Sequence, residues 1–177
     1  MKPKLTFSLI IFLFGFVGAT LADSESRLTA TLTDVDNFRD FSVSGMSEER
    51  TKGVFESEFN RFARTEARRS IPEGYRVHLE FTDIDMAGDI QPWRNRNHSD
   101  LRYIEAIYPP MLKFKYTVKD ADGETVIEGE KTLRDINYLF SPNQRFRSFT
   151  SFRYELSMLS DWLRGELRRE IRALNAD

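Results

Sequence analysis

Three aspartates, Asp83, Asp85 and Asp89, fall within the stretch FTDIDMAGDI (residues 81–90). Carboxylates this close together can do two kinds of chemistry. Two of them held at different pKa values form a general acid–base pair of the kind that hydrolyses glycosides. Glu80 and Asp135 are further candidates for such a pair. Several converging carboxylates can instead hold a hard cation such as calcium. Asp34, Asp36 and Asp40 form a second acidic cluster with the same two options. The calcium reading is poorly served by the pattern. The DADG run at 120–123 lacks the rest of an EF-hand loop, and DIDMAGD has no Glu at the bidentate position. Asp just before Gly is ordinary turn chemistry.

Other catalytic signatures are missing. There is no GxSxG, HExxH, Walker loop or GxGxxG. The two histidines, His78 and His98, stand apart, one on the polar side of an alternating run and one in a polar loop. Neither has a second ligand at metal spacing. Cysteine is absent, which removes disulfides, thiol catalysis and thiolate metal sites together. No catalytic residue, metal ligand or cofactor is therefore assigned. The expected function is non-enzymatic binding through two loop systems. One is the Asp-rich stretch, with Asp83 and Asp85. The other is rich in arginine and aromatic residues: Trp93, Arg94, Arg96 and Arg102, then Arg145 and Arg147 within a segment from Tyr138 to Tyr154 that contains no acid before Glu155. Arg and aromatic side chains are enriched where proteins recognise partners. The plainer alternative is that the Phe residues pack inward under arginine stems. The competing function is a carboxylate-dependent hydrolase with Asp83 or Asp85 as acid or base.

The N-terminus bears on where this chemistry would operate. Lys2 and Lys4 precede an uncharged run, Leu5–Ala22, that is apolar to Val17 and then turns small. These are the parts of a secretory signal peptide, with cleavage expected after Ala22 and a mature domain at 23–177. The run is short for a membrane span, which needs about 20 residues. An uncleaved inner-membrane anchor at 5–22 is the alternative to a periplasmic protein with no span. Losing Lys2 and Lys4 takes the formal net charge from −2 to −4. That acidity, with export, disfavours nucleic acid. An envelope protein or an anionic ligand is the expected partner; the oligomeric state is left open.

Positioning these residues requires a scaffold, and the hydrophobic periods supply one. Leu28, Ala30 and Leu32 alternate with threonines; Val77, Leu79 and Phe81 alternate with polar residues; Leu112, Phe114, Tyr116 and Val118 alternate with Lys113, Lys115, Thr117 and Lys119. Each run is a strand with one wet face. DADG makes a hairpin turn into a return strand whose Glu124, Glu128 and Glu130 suit those lysines. Ser47 caps a helix carrying Phe55, Phe59, Phe62 and Ala63 on one stripe. A second helix, from about Phe152 to Leu174, carries Leu156, Leu159, Leu163, Leu167 and Ile171 beside Trp162. Leu101–Tyr108 reads equally as strand or helical turn. The expected fold is α+β: a two-layer sandwich of about four mainly antiparallel strands with two amphipathic helices on one face, in the order β-α-β-β-β-α.

The stretches LTDVDNFRDF, VHLEFTDIDMAGDI, DLRYIEAIYPPMLKFKYTVKDADGETVIEGEKTLRDINYL and FRYELSMLSDWLRGEL resemble the bacterial proteins grouped as domain of unknown function 3016. The D-x-D-x-A-G signature at Asp83, Asp85, Ala87 and Gly88, the LRDINYL run, and Tyr154-Glu155 with Asp161-Trp162 are the most specific parts. Pro110 departs from the pattern, where an Arg is usual. The resemblance implies a small exported protein and supplies no activity or ligand. The signature also contains a fault of phase. If Val77, Leu79 and Phe81 face the core, unbroken alternation puts Asp83 and Asp85 there too and turns Ile84 and Met86 to water. A strand end, a bulge, or partners for the carboxylates must resolve it. Backbone amides or Arg94, Arg96 and Arg102 are the expected partners.

Overall fold

The computed structural model of the chain describes residues 26–95, 97, 99–140 and 151–174. The expected signal segment, Arg96, His98, Arg145 and Arg147 lie outside the described residues. Strand β1 (Leu28–Leu32) is followed by a single 3-10 turn (Val35–Asn37) and helix α1 (Glu48–Ser70). Then come β2 (Arg76–Asp85), the two-residue strands β3 (Asp89–Ile90) and β4 (Arg102–Tyr103), β5 (Met111–Lys119) and β6 (Thr125–Arg134). Helix α2 (Arg153–Trp162) continues through a π-helical turn (Leu163–Leu167) into α3 (Arg168–Ala173). The main sheet has the order β1-β2-β5-β6. β1 lies parallel to β2, so α1 is the crossover that such a pair requires. The β2–β5 and β5–β6 pairs are antiparallel. The expected α+β fold with a mainly antiparallel four-stranded sheet is thus the observed one. The β3–β4 ladder is an addition, and it settles the undecided 101–108 region as a two-residue strand followed by a turn.

Local chemistry accounts for the ends of the elements. Ser47 Oγ accepts the Arg50 N–H at the start of α1, whose first turn holds Glu48 and Glu49. At the β5–β6 hairpin Gly123 takes φ +86, and Asp120 Oδ1 accepts the N–H groups of Asp122 and Glu124, each at 3.0 Å. Lys115 lies opposite Glu130, as the charge pattern suggests, whereas Glu128 faces Thr117.

Both helices pack on one face of the sheet. Phe55, Phe59 and Phe62 of α1 and Leu156, Leu159 and Trp162 of α2 meet Leu79, Phe81 and Phe114 in one buried cluster. The ring of Phe55 stands edge-on to Phe81 at 5.3 Å and to Phe152 at 5.1 Å. Removing one such ring costs about 3–5 kcal/mol, so a cysteine-free domain can be held by this core. Across the helix–helix seam Arg164, in the π turn, chelates the buried Glu66 of α1, which also accepts the Ser70 hydroxyl at 2.6 Å. The opposite sheet face is polar: His78 bonds Thr29 at 3.0 Å and Thr31 at 3.2 Å.

Candidate functional site

The phase fault is resolved by a bulge. The β2–β5 register slips between Phe81 and Asp83, so Thr82 is an extra residue on β2. The slip turns Ile84 and then Met86 into the core and leaves Asp83 and Asp85 half-buried at the rim. Asp83 is answered locally: its Oδ1 accepts the Arg39 N–H at 2.9 Å and its Oδ2 lies 3.3 Å from Arg39 Nε. Asp85 sits beside Asp40 in an isolated parallel bridge, in which Met86 N–H donates to the Asp40 carbonyl at 3.0 Å. Its carboxylate makes no hydrogen bond or ion pair within the described residues. Burial, reinforced by the charge of Asp40, raises its pKa above the ordinary carboxylate value. Gly88 follows with φ +80; a Cβ there would lie 2.4 Å from the Tyr103 carbonyl oxygen, so the corner admits only glycine.

Arg102 binds this corner together, though not through the carboxylates expected. Its Nη1 donates to Asp40 Oδ2 at 2.7 Å and to the Gly88 carbonyl at 3.0 Å. Its Nη2 donates to Asp40 Oδ1 at 2.7 Å and to the Ser42 carbonyl at 2.8 Å. The fork geometry is the reason an arginine serves here. Its Nε is buried without a hydrogen-bond partner. Arg94 is likewise spoken for. It bonds Glu105 at 2.7 Å and lies over the Tyr103 ring at 4.6 Å. Trp93 is 75% exposed and Asp89 lies in β3. The expected partnership of Arg94 and Arg102 with Asp83 and Asp85 is therefore replaced by three separate pairs: Arg39–Asp83, Arg102–Asp40 and Arg94–Glu105.

One residue of the site stands in the family pattern but is not among the expected site residues. Glu155, in the first turn of α2, is 1% exposed, and its Oε1 accepts the Ala87 N–H of the signature at 2.7 Å. Its Oε2 has no hydrogen-bond partner among the described residues. Burial, with the negative charge of Glu58 adding to it, pushes the Glu155 pKa up to about 7. Glu58 in turn accepts the N–H groups of Phe152 at 3.1 Å and Ser151 at 3.3 Å, capping α2 from α1. Tyr138, from LRDINYL, packs edge-on against Tyr154 at 4.8 Å and donates its hydroxyl to the Glu105 carbonyl at 2.7 Å. The signal for Glu155 was present. It lies four residues before Leu159 and seven before Trp162, on the apolar stripe itself.

A cavity of about 290 Å³ opens between these parts, lined by Ser44, Met86, Ala87, Arg102, Arg153 and Tyr154 among others. A wider groove of about 960 Å³ runs between the Asp34–Asp40 segment and the start of α1. Asp83 and Asp85 line neither. Among the described residues no three His, Asp or Glu side chains converge as a metal site would require.

What the fold and the cavity define is a two-layer α+β domain in which the bulged second strand, an arginine knot and the start of the last long helix enclose a small cation-lined pocket. The chain belongs to the family described as Protein of unknown function (DUF3016), whose model matches residues 26–165. That span holds every residue of the pocket. No curated protein and no solved structure matches the chain.

Proposed function

We propose that this protein is an exported, non-enzymatic binding domain of the bacterial envelope that takes an anionic group of its ligand into the cavity beneath the D-x-D-x-A-G corner. The observation that carries the reading is the meeting of the two expected loop systems in one place. Met86 and Ala87 of the signature and Ser151, Arg153 and Tyr154 of the arginine and aromatic segment line the same cavity as Arg102. Arginines beside a tyrosine and small hydroxyls suit a carboxylate or phosphate on an organic body. Arg102 is held in place at the cavity by Asp40 and by the Gly88 and Ser42 carbonyls. The hydrolase reading draws on Asp85, whose carboxyl is raised and unpaired. Asp83 and Asp40, its neighbours, are committed to Arg39 and Arg102, and among the described residues no nucleophile–base pair faces the cavity. Export rests on the Leu5–Ala22 run. Among the described residues no helix is long and apolar enough to cross a membrane.

The test is affinity capture from an envelope extract with the mature chain as bait, beside Arg153→Ala and an Asp83→Ala, Asp85→Ala double variant. Capture that is lost in Arg153→Ala and kept in the double variant supports the cavity. Equal capture by all three, or hydrolysis of a glycoside panel that disappears with Asp85→Ala, refutes it. N-terminal sequencing of the periplasmic fraction tests cleavage after Ala22.

A further inference from the structure

The exposed apolar side chains are not scattered. Of the nine large ones among the described residues, seven lie at 93–107 and 136–140. Trp93, Ile107, Ile136 and Phe140 are between 68% and 83% exposed. The fold brings these segments to one end of the sheet. The Asp135 N–H donates to the Pro110 carbonyl at 3.4 Å, just beyond the Met111–Arg134 pair that ends the β5–β6 ladder. Glu105 fastens the segments to one another. Its carbonyl accepts the Tyr138 hydroxyl at 2.7 Å, and its carboxylate accepts Arg94 at 2.7 Å and Gln91 at 3.3 Å. That carboxylate is the one charged side chain in 103–110 and 136–140, and Arg94 neutralises it. Asp135, just outside, turns to the Asn137 N–H at 2.9 Å. A clustered apolar surface of this kind marks an interaction site. It adjoins the cavity. Ile104 belongs to both, since it is exposed and lines the cavity with Arg102 and Arg153. Tyr138 ties the second segment to the same wall through its edge-on contact with Tyr154.

We propose that this end of the domain docks on a lipid bilayer containing anionic phospholipid, with a headgroup phosphate in the cavity and the apolar side chains of both segments inserted beside it. The inference rests on the anion-binding reading of the cavity and names the class of its ligand. The distribution of charge selects the occupant. An apolar surface beside an arginine-lined cavity calls for a partner that carries an apolar body and an anion side by side. An anionic lipid does so in one molecule, and membrane affinity grows with both contributions. Arg153 lies over the Tyr154 ring, 4.4 Å from its centroid, so that partner leaves its positive charge in place. The exposed side chains stand on separate segments rather than around a groove. That suits a fluid that closes around each of them better than a rigid protein surface. Tryptophan, with an apolar body and a polar N–H, settles at membrane–water interfaces.

Sedimentation of the mature chain with vesicles of equal parts phosphatidylglycerol and phosphatidylcholine tests this, beside vesicles of phosphatidylcholine alone. Burial of one large apolar side chain is worth roughly tenfold to a hundredfold in an equilibrium constant. Ile107→Ser and Phe140→Ser, both at exposed positions, should each weaken binding to the mixed vesicles by about tenfold or more and leave thermal melting unchanged. Should Phe140→Ser melt lower, Ile136→Ser replaces it with the same expectation. Arg153→Ala should cost about fivefold on the mixed vesicles and nothing on phosphatidylcholine. Trp93 reports insertion, because the second tryptophan, Trp162, is buried. Its emission should move to the blue on the mixed vesicles, and Trp93→Phe should remove that shift while the protein still sediments. No sedimentation, equal binding to both kinds of vesicle, or binding indifferent to Ile107→Ser and Phe140→Ser would overturn the proposal. Capture from the envelope extract that is lost in Arg153→Ala, while vesicles go unbound, would overturn the lipid assignment alone and leave the cavity reading standing.

Discussion

Replacing Glu155 by Gln keeps the shape and the acceptor for the Ala87 amide while removing the ionisable group. The wild-type carboxyl has a pKa of about 7 in the fold against 4.5 without it. A raised carboxyl binds its proton more tightly folded than unfolded. Its contribution is therefore greatest at low pH and is lost as pH rises from the unfolded value through about 7. At about 1.36 kcal/mol per unit, the wild type should lose roughly 2.5 kcal/mol between pH 5 and pH 8 from this group alone. The glutamine variant should lose none of it. Urea melts of both proteins at pH 5, 6, 7 and 8 isolate the effect, because titration of Asp85, Glu66 and the other groups is common to both and cancels in the difference. In thermal melts the same difference is about 5–10 °C for a domain of this size. Parallel stability curves across the range, or a variant less stable than wild type at pH 8, would refute the claim that Glu155 is buried with one oxygen unanswered.

Two further outcomes follow from the corner. Gly88→Ala must place a side chain at φ +80 and 2.4 Å from the Tyr103 oxygen; it should cost about 2–3 kcal/mol in urea denaturation, whereas Gly53→Ala, with open space, should stabilise α1 by about 0.5–1 kcal/mol. Asp40→Asn and Arg102→Gln each break a bidentate pair whose side chains are 27% and 10% exposed. Each should destabilise by about 2–4 kcal/mol, and the double variant should show a coupling of more than about 1 kcal/mol in a double-mutant cycle.

Much of the scaffold was legible because each long element carries its own period. The alternation in β2 and β5 and the stripes of α1 and α2 need no tertiary information, and Ser47 and the DADG turn mark their own boundaries. The β3–β4 ladder was illegible because two-residue strands have no period to read. The bulge lay between. Alternation showed that something must break between Phe81 and Asp85 but could not locate the extra residue at Thr82, which is fixed by pairing with β5. The arginine partners differ from the expected ones for a related reason. Proximity in sequence favoured Arg94 and Arg102 for Asp83, but β1, its following turn and β2 bring Arg39 and Asp40 alongside, and that adjacency is a property of the sheet order.

The three buried glutamates show why the site was harder to see than the fold. Glu58, Glu66 and Glu155 all occupy apolar stripes, where a periodic reading registers only an interruption. Burying a carboxylate is costly unless its oxygens are answered. Glu66 is fully answered: burial alone would raise its pKa, but hydrogen bonds from Arg164 and Ser70 outweigh that, and the pKa lies below the ordinary value. Glu58 is answered by two amides at the start of α2. Both can be understood as parts of the scaffold. Glu155 differs because only Oε1 is used and its pKa moves the other way, to about 7. A scaffold role for the Ala87 amide would be served as well by a neutral amide side chain at lower cost. The ionisable group is therefore better explained by what lies beside it. Ala87 and Tyr154 line the cavity, so the charge on Glu155 bears directly on any anion held there. Protonated, Glu155 adds no charge beside the cavity; ionised, it adds a negative one, set against the field of Arg102 and Arg153. The affinity of the cavity for an anion should accordingly fall as pH rises through about 7 in the wild type and stay level in Glu155→Gln.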